Sequence, residues 1–432
     1  ARFAVGYDLE NARVVSMSGR RARTVMPLCL LFDFDGAWQW FEDHAESQPL
    51  RARYMEAFNT FNAVSVPATV LEDADEGKLR VIFARINQSG KRLKAFEVFD
   101  ALNGSASTER TLQSISDAVA RATRFGEISE EYVLNVMKAR RHPDYMRDVG
   151  TEFADERRRA SDFPEEDQDA AYAETERVII QAVRFLQDSC CIPHVTLLPY
   201  GAVLYVVSRF FALFPEPKRR NKELLKRWVW RTVSKMIDGG MSGAGVQTRS
   251  FLKNVRCDDE SGSIQRLLDG VGGRSSGERV AIPIARMNRS DARACVCAMW
   301  SYYVRAKDYG GAASIELFDS LVGGSGSASE LLVDYVERHR IAGEGNRLYS
   351  SLANKVLLVD EEAHQDADAA RSFMDSHPDM LILPDSTGGA GSSGDPIHAL
   401  ERREELLSAR VNEFFDLMMA WDYESFAPVE LK

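Results

Sequence analysis

Two clusters of cationic and polar residues in this chain could do chemistry on an anion. The first lies within Leu79–Gly104, where Arg85, Asn87, Lys91 and Arg92 surround Gly90. Arg and Lys bring charge-assisted donors, and Gly lets backbone N–H groups approach a phosphate closely. The second is Lys218–Lys235, KRRNKELLKRWVWRTVSK, with eight basic residues against one acid, Glu223. On a helix, Arg219, Lys222 and Lys226 form one basic stripe, and Arg220, Arg227 and Arg231 form a second. Trp228 and Trp230 lie among them. Basic side chains make salt-sensitive phosphate contacts and an interleaved aromatic stacks on a base, so the segment is a candidate DNA-binding surface. The same spacing fits a helix whose Trp, Leu and Val side chains are core and whose charges are solvated. A Gly-rich run, GGMSGAG at 239–245, lacks the Lys-Ser/Thr ending and the preceding strand of a P-loop, and reads as a loop between helices.

The first cluster needs particular elements to hold it. Leu79, Val81 and Phe83 alternate with Arg80, Ile82 and Ala84 as in a strand. Asn87-Gln88-Ser89-Gly90 supplies a turn. Leu93, Phe96, Val98, Phe99 and Leu102 recur at helical spacing, and Asn103-Gly104 supplies a stop. Strand, Gly turn and helix can aim backbone N–H groups and a helix N-terminus at an anion. The pattern also describes an ordinary strand-turn-helix with solvated polar residues.

Around this unit, residues 1–104 read as mixed α and β. Strands are expected at Arg2–Tyr7, Val14-Val15, Thr24–Phe34 and Val64–Leu71, and short helices at Trp38–His44 and Leu50–Phe61. From 105 the apolar period is helical at Thr108–Ala120, Glu130–Arg140, Ala171–Asp188, Ala202–Leu213, Asn221–Ile237 and Ser290–Lys307. The charged stretch 144–169 reads as a solvated linker or an exposed helix face, with Pro164 opening the next helix. Gly/Ser-rich loops at 310–329 flank a short helix, Ile315–Leu321. A final amphipathic helix spans Pro396–Trp421.

Phe83-Ala84-Arg85-Ile86-Asn87-Gln88-Ser89-Gly90-Lys91-Arg92-Leu93 resembles the F-x-R-I-N-x-x-G-x-x-L signature of the GmrSD-type restriction endonuclease family. Val66-Pro67-Ala68-Thr69-Val70 is similar to that family's I-P-V-V strand, and Glu97-Val98-Phe99-Asp100-Ala101-Leu102 to its E-L-x-x-A helix. In the family this signature lies in a ParB/sulfiredoxin-like nucleotide-binding domain. The resemblance therefore implies that Arg85, Asn87, Gly90 and Lys91 serve a nucleotide site and that a nucleoside triphosphate is the ligand. The family's Asp-Gly-Gln-x-Arg motif has no counterpart: Asp35-Gly36, Asp238-Gly239 and Asp269-Gly270 all lack the following Gln-x-Arg. Either the chain is a fragment without its true N-terminus, or the motif has been lost.

A second resemblance follows in the C-terminal part. Asp334-Tyr335-Val336-Glu337-Arg338-His339-Arg340-Ile341, then Ser350–Leu358, then Glu361-Glu362-Ala363-His364, are similar in order to the HNH-type nuclease half of the same family. That implies His339 as the base that activates water and Asn354 as the residue that orients it. Glu337 and His364 would be ligands of one Mg or Mn ion at the scissile phosphate. The pattern departs from the family where Arg338 splits the acid from His339, where Arg340 sets a cation beside the base, and where the Pro after Ile341 is missing. The alternative is a decayed module that keeps its fold through Leu352, Val356, Leu357 and Leu358.

The expected fold class is α+β. It comprises a partial ParB/sulfiredoxin-like domain at 1–104, a mostly helical domain at 105–310 and a small α+β, HNH-like module at 311–432. A net charge of −11 over 432 residues argues against a protein coated in nucleic acid while allowing a local basic groove. The six cysteines have no regular spacing and read as reduced, buried thiols of a cytoplasmic protein. Cys190-Cys191 and Cys295-x-Cys297 are core rather than a zinc site. No apolar run reaches the ~18–20 residues a membrane helix needs. The expected function is a prokaryotic restriction or anti-phage protein, nucleotide-dependent and acting on modified or foreign DNA. The alternative is a catalytically inactive relative that senses DNA or a nucleotide. Partners would be DNA, a nucleotide, and a second copy or a partner subunit.

Overall fold

The computed structural model describes residues 5–16, 24–65, 94–103, 110–147, 152–239, 244–272, 279–307, 311–322, 327–337, 346–360, 363, 366–384 and 395–419. The chain forms two compact units, Ala1–Ile82 and Phe83–Lys432.

In the first unit, strands β1 (Val5–Asp8), β2 (Arg13–Ser16) and β3 (Val25–Pro27) form an antiparallel sheet in the order β2-β1-β3. Tyr7 sits opposite Val14 on one side and Met26 on the other. Helices α1 (Phe34–Asp43) and α2 (Arg51–Asn62) complete a core of Tyr7, Met26, Leu31, Phe41 and Tyr54. The strand expected over Thr24–Phe34 is only three residues long. Leu28–Leu31 coil into a 3₁₀ turn, and the Asp33 carboxylate accepts the Gly36 N–H at 3.0 Å and starts α1. A Cβ at Gly36 would lie 2.4 Å from an Asp33 oxygen, so the cap needs glycine there. Residues 66–71 and the strand-turn-helix start at Leu79–Leu93 lie outside the described residues.

The second unit begins with α3 (Ala95–Asn103), α4 (Leu112–Thr123), α5 (Glu130–Arg141) and α6 (Asp155–Arg159). There follow α7 (Gln168–Asp188), α8 (Ala202–Leu213), α9 (Arg219–Ile237), α10 (Ala244–Asn254) and α11 (Glu260–Val271). Side-chain caps from Thr111, Ser129, Asp167 and Asp259 fix the starts of α4, α5, α7 and α11. The centre is α8, buried at every position from Ala202 to Ala212, with α5, α7 and α10 packed around it. A helix apolar on all sides must lie inside such a bundle. Beyond the bundle come α12 (Ser290–Lys307), α13 (Gly311–Val322), β4 (Leu332–Asp334), α14 (Asn346–Ser350), β5 (Lys355–Leu357), α15 (Ala367–Ser376) and α16 (Pro396–Met419).

One core runs from Phe99 to Met419, and α16 packs on α9 and α12. The charged stretch 144–169 is an exposed helix face over α6, which buries no residue, but it also reaches the interior: Arg140 meets Glu166 at 2.5 Å, and Arg141 meets the buried Glu152 at 3.2 Å. Two expectations change here. Asp167, not Pro164, opens the next helix. Of the cysteines, Cys190, Cys295 and Cys297 are buried, whereas Cys29 and Cys257 are exposed. Among the described residues no helix is long and apolar enough to cross a membrane.

Guanidinium groups join helices at their ends. Arg209 of α8 donates to Ala139 O and Arg140 O, where α5 stops, and to Leu252 O and Val255 O, where α10 stops. Carbonyls in a helix's last turn lack intrahelical donors and carry partial negative charge, and one planar fork of five N–H groups satisfies several of them.

Candidate nucleic-acid interface and the C-terminal module

The basic helix expected from the sequence is α9, and its residues separate into two sets. Arg219 and Lys222 are exposed, Lys226 and Arg227 are half-buried, and Lys226 pairs with Glu223 at 2.5 Å. Among the described residues Arg219 and Lys222 have no ion-pair partner. Arg231 is a correction. It is 2% exposed, and its Nε and Nη2 donate to Met419 O at the end of α16, at 3.2 and 2.9 Å. Burial lowers it to about 10, so it stays charged at neutral pH as a helix-end clamp rather than a phosphate contact. The tryptophans face the same way. Trp228 packs edge-on against Phe251, and Trp230 packs against Phe414 and Phe415 while donating Nε1–H to Cys190 O. Neither can stack on a base. The N-terminus of α9 is already engaged, since Glu260 accepts from Lys218 N and Asn221 Nδ2.

A groove of about 440 Å³ runs between α7 and α9 over Phe211 of α8. Lys222 stands on the α9 side. From α7 come Arg177, Ile180, Gln181, Arg184, Phe185 and Asp188, positions that recur on one helical face. Arg177 is paired with Glu174 at 2.8 Å, whereas Arg184 is exposed and has no ion-pair partner among the described residues. The apolar period locates α7 but does not mark its basic residues. Their signal is the i, i+3, i+4, i+7 stripe itself, which mixes cations with apolar residues instead of segregating them.

In the C-terminal region the two motif segments do come together. β4 pairs antiparallel with β5, with Val333 opposite Val356. Asn354 is fully buried beside this pair. Its Oδ1 accepts from Val336 N at 2.7 Å, and its Nδ2 donates to Val336 O at 3.1 Å and to Tyr349 O at 3.4 Å. The side-chain amide thus copies a strand residue and extends the ladder by one reciprocal pair. Only one orientation of the amide satisfies both Val336 groups. This corrects the role that the motif implied for Asn354: its hydrogen-bonding groups are taken by backbone, not directed at an imidazole. Arg403 of α16, also fully buried, donates to Leu352 O at 3.1 Å, to Lys355 O at 2.7 Å and to Ala353 O. Burial pulls it down to about 9, still charged at neutral pH. Asp334 is held by Lys355 and by the Tyr349 hydroxyl, which donates at 2.6 Å.

Of the other expected site residues, Glu337 is exposed, and His339 and His364 lie outside the described residues. So do Arg85, Asn87, Gly90 and Lys91. Among the described residues no three metal-ligating side chains converge. Of the two expected Mg or Mn ligands, Glu337 is at the surface and His364 lies outside the described residues.

One pair, a buried His194 and a half-buried Asp319, carries no signal in the sequence. His194 is 4% exposed and its Nδ1 accepts from Thr196 N at 3.3 Å, so Nε2 carries the proton, 3.4 Å from Asp319 of α13. Gly126, at φ +81°, lets the chain pass against the ring, where a Cβ would lie 2.3 Å from Nε2. Burial lowers His194 to about 4, which keeps it neutral at pH 7. With both nitrogens engaged, the pair fastens α13 to the turn before α8.

Compared with protein-family profiles, curated proteins and solved structures, the chain matches none.

Proposed function

We propose that this chain is a prokaryotic, cytoplasmic defence protein of the GmrSD type that binds DNA and a nucleotide, and that its C-terminal module is retained for structure rather than for cleavage. The Phe83–Leu93 signature supports the family. The observation that carries the non-cleaving form is Asn354, whose amide is wholly committed to Val336 and Tyr349 in the interior. A nuclease of this type needs its Asn free to hold the base. Arg219 and Lys222 support DNA binding, since both are exposed and neither has an ion-pair partner among the described residues. Nucleotide binding at Arg85, Asn87, Gly90 and Lys91 rests on the signature alone. There the nucleotide would act by differential binding to two states of the chain.

Equilibrium binding tests this reading. Duplex DNA, modified and unmodified, and labelled nucleoside triphosphates are titrated against the chain at two salt concentrations. DNA binding that weakens with salt, and nucleotide binding lost in Arg85→Ala, are expected. A chain that binds neither ligand overturns the proposal.

A further inference from the structure

We draw no further inference here: the strongest candidate, the exposed aromatic surface patch of the first unit in which Phe32 meets Phe61 and Phe34 meets Phe58 edge to face, carries nothing, because nothing in the structure shows what covers it.

Discussion

Two polar regions of the second unit use similar side chains in opposite ways. Around β4, β5 and α16, Asn354 and Arg403 are fully buried, and their bonds go to backbone. Along α7 and α9, Arg184, Arg219 and Lys222 are exposed and have no ion-pair partner among the described residues. The first region holds the chain together and the second is open to a ligand. A guanidinium facing three carbonyls has its charge compensated and its donors engaged. One facing water keeps both for an incoming anion.

Breaking the inner set should have the largest effect. Arg403→Ala leaves the Leu352, Ala353 and Lys355 carbonyls without their donor and opens a cavity under α16. It should cost about 3–5 kcal/mol, read as a lower urea midpoint at unchanged slope. Asn354→Ala should cost about 2–3 kcal/mol, because Val336 N–H and O are then buried without partners. Asn354→Asp should be worse than Ala at pH 7, since a buried carboxylate cannot donate to Val336 O.

A smaller effect depends on pH. His194 has a folded-state value of about 4 against 6.5 for the free side chain. The unfolded chain therefore binds the proton first, and this group's contribution falls as pH drops from about 6.5 to about 4. Asp319, raised by burial, and Asp100, raised to about 6 by burial and Glu130, act in the opposite direction on acidification. His194→Gln removes one titration and leaves the others. Between pH 7 and pH 4, wild type should lose more stability than the variant in urea melts, by up to about 3 kcal/mol. Equal losses would mean that His194 is not held neutral.

The smallest stability effect belongs to the outer set. Arg184→Ala and Lys222→Ala should each change unfolding free energy by less than ~0.5 kcal/mol, since exposed cations away from caps and networks contribute little. A loss comparable to that of Arg403→Ala would erase the contrast between the two regions.

Much of the helical framework was legible because apolar period and caps act locally. Ala202–Leu213 and Ser290–Lys307 form helices over the expected residues. The interior of 144–169 was not legible, because the burial of Arg140 and Arg141 depends on Glu166 and Glu152, which the chain brings to them only on folding. Arg231 lies on the face of α9 opposite Lys222, about 180° away on a helical wheel, and its partner, the end of α16, is 188 residues away in sequence and marked by no side-chain pattern. Asn354 was picked out by its motif, yet its partner is a backbone amide that no side-chain pattern marks. Glycine and turn signals at 310–311 suggested a loop, but Gly311 opens α13.

The most direct test of the non-cleaving account is a cleavage assay. The chain is incubated with modified and unmodified duplex DNA and Mg²⁺ or Mn²⁺, with and without nucleoside triphosphate, beside His339→Ala. The account predicts that wild type and variant leave the DNA intact while wild type still binds it. Cleavage by wild type that His339→Ala abolishes would contradict it and make the C-terminal module a working nuclease.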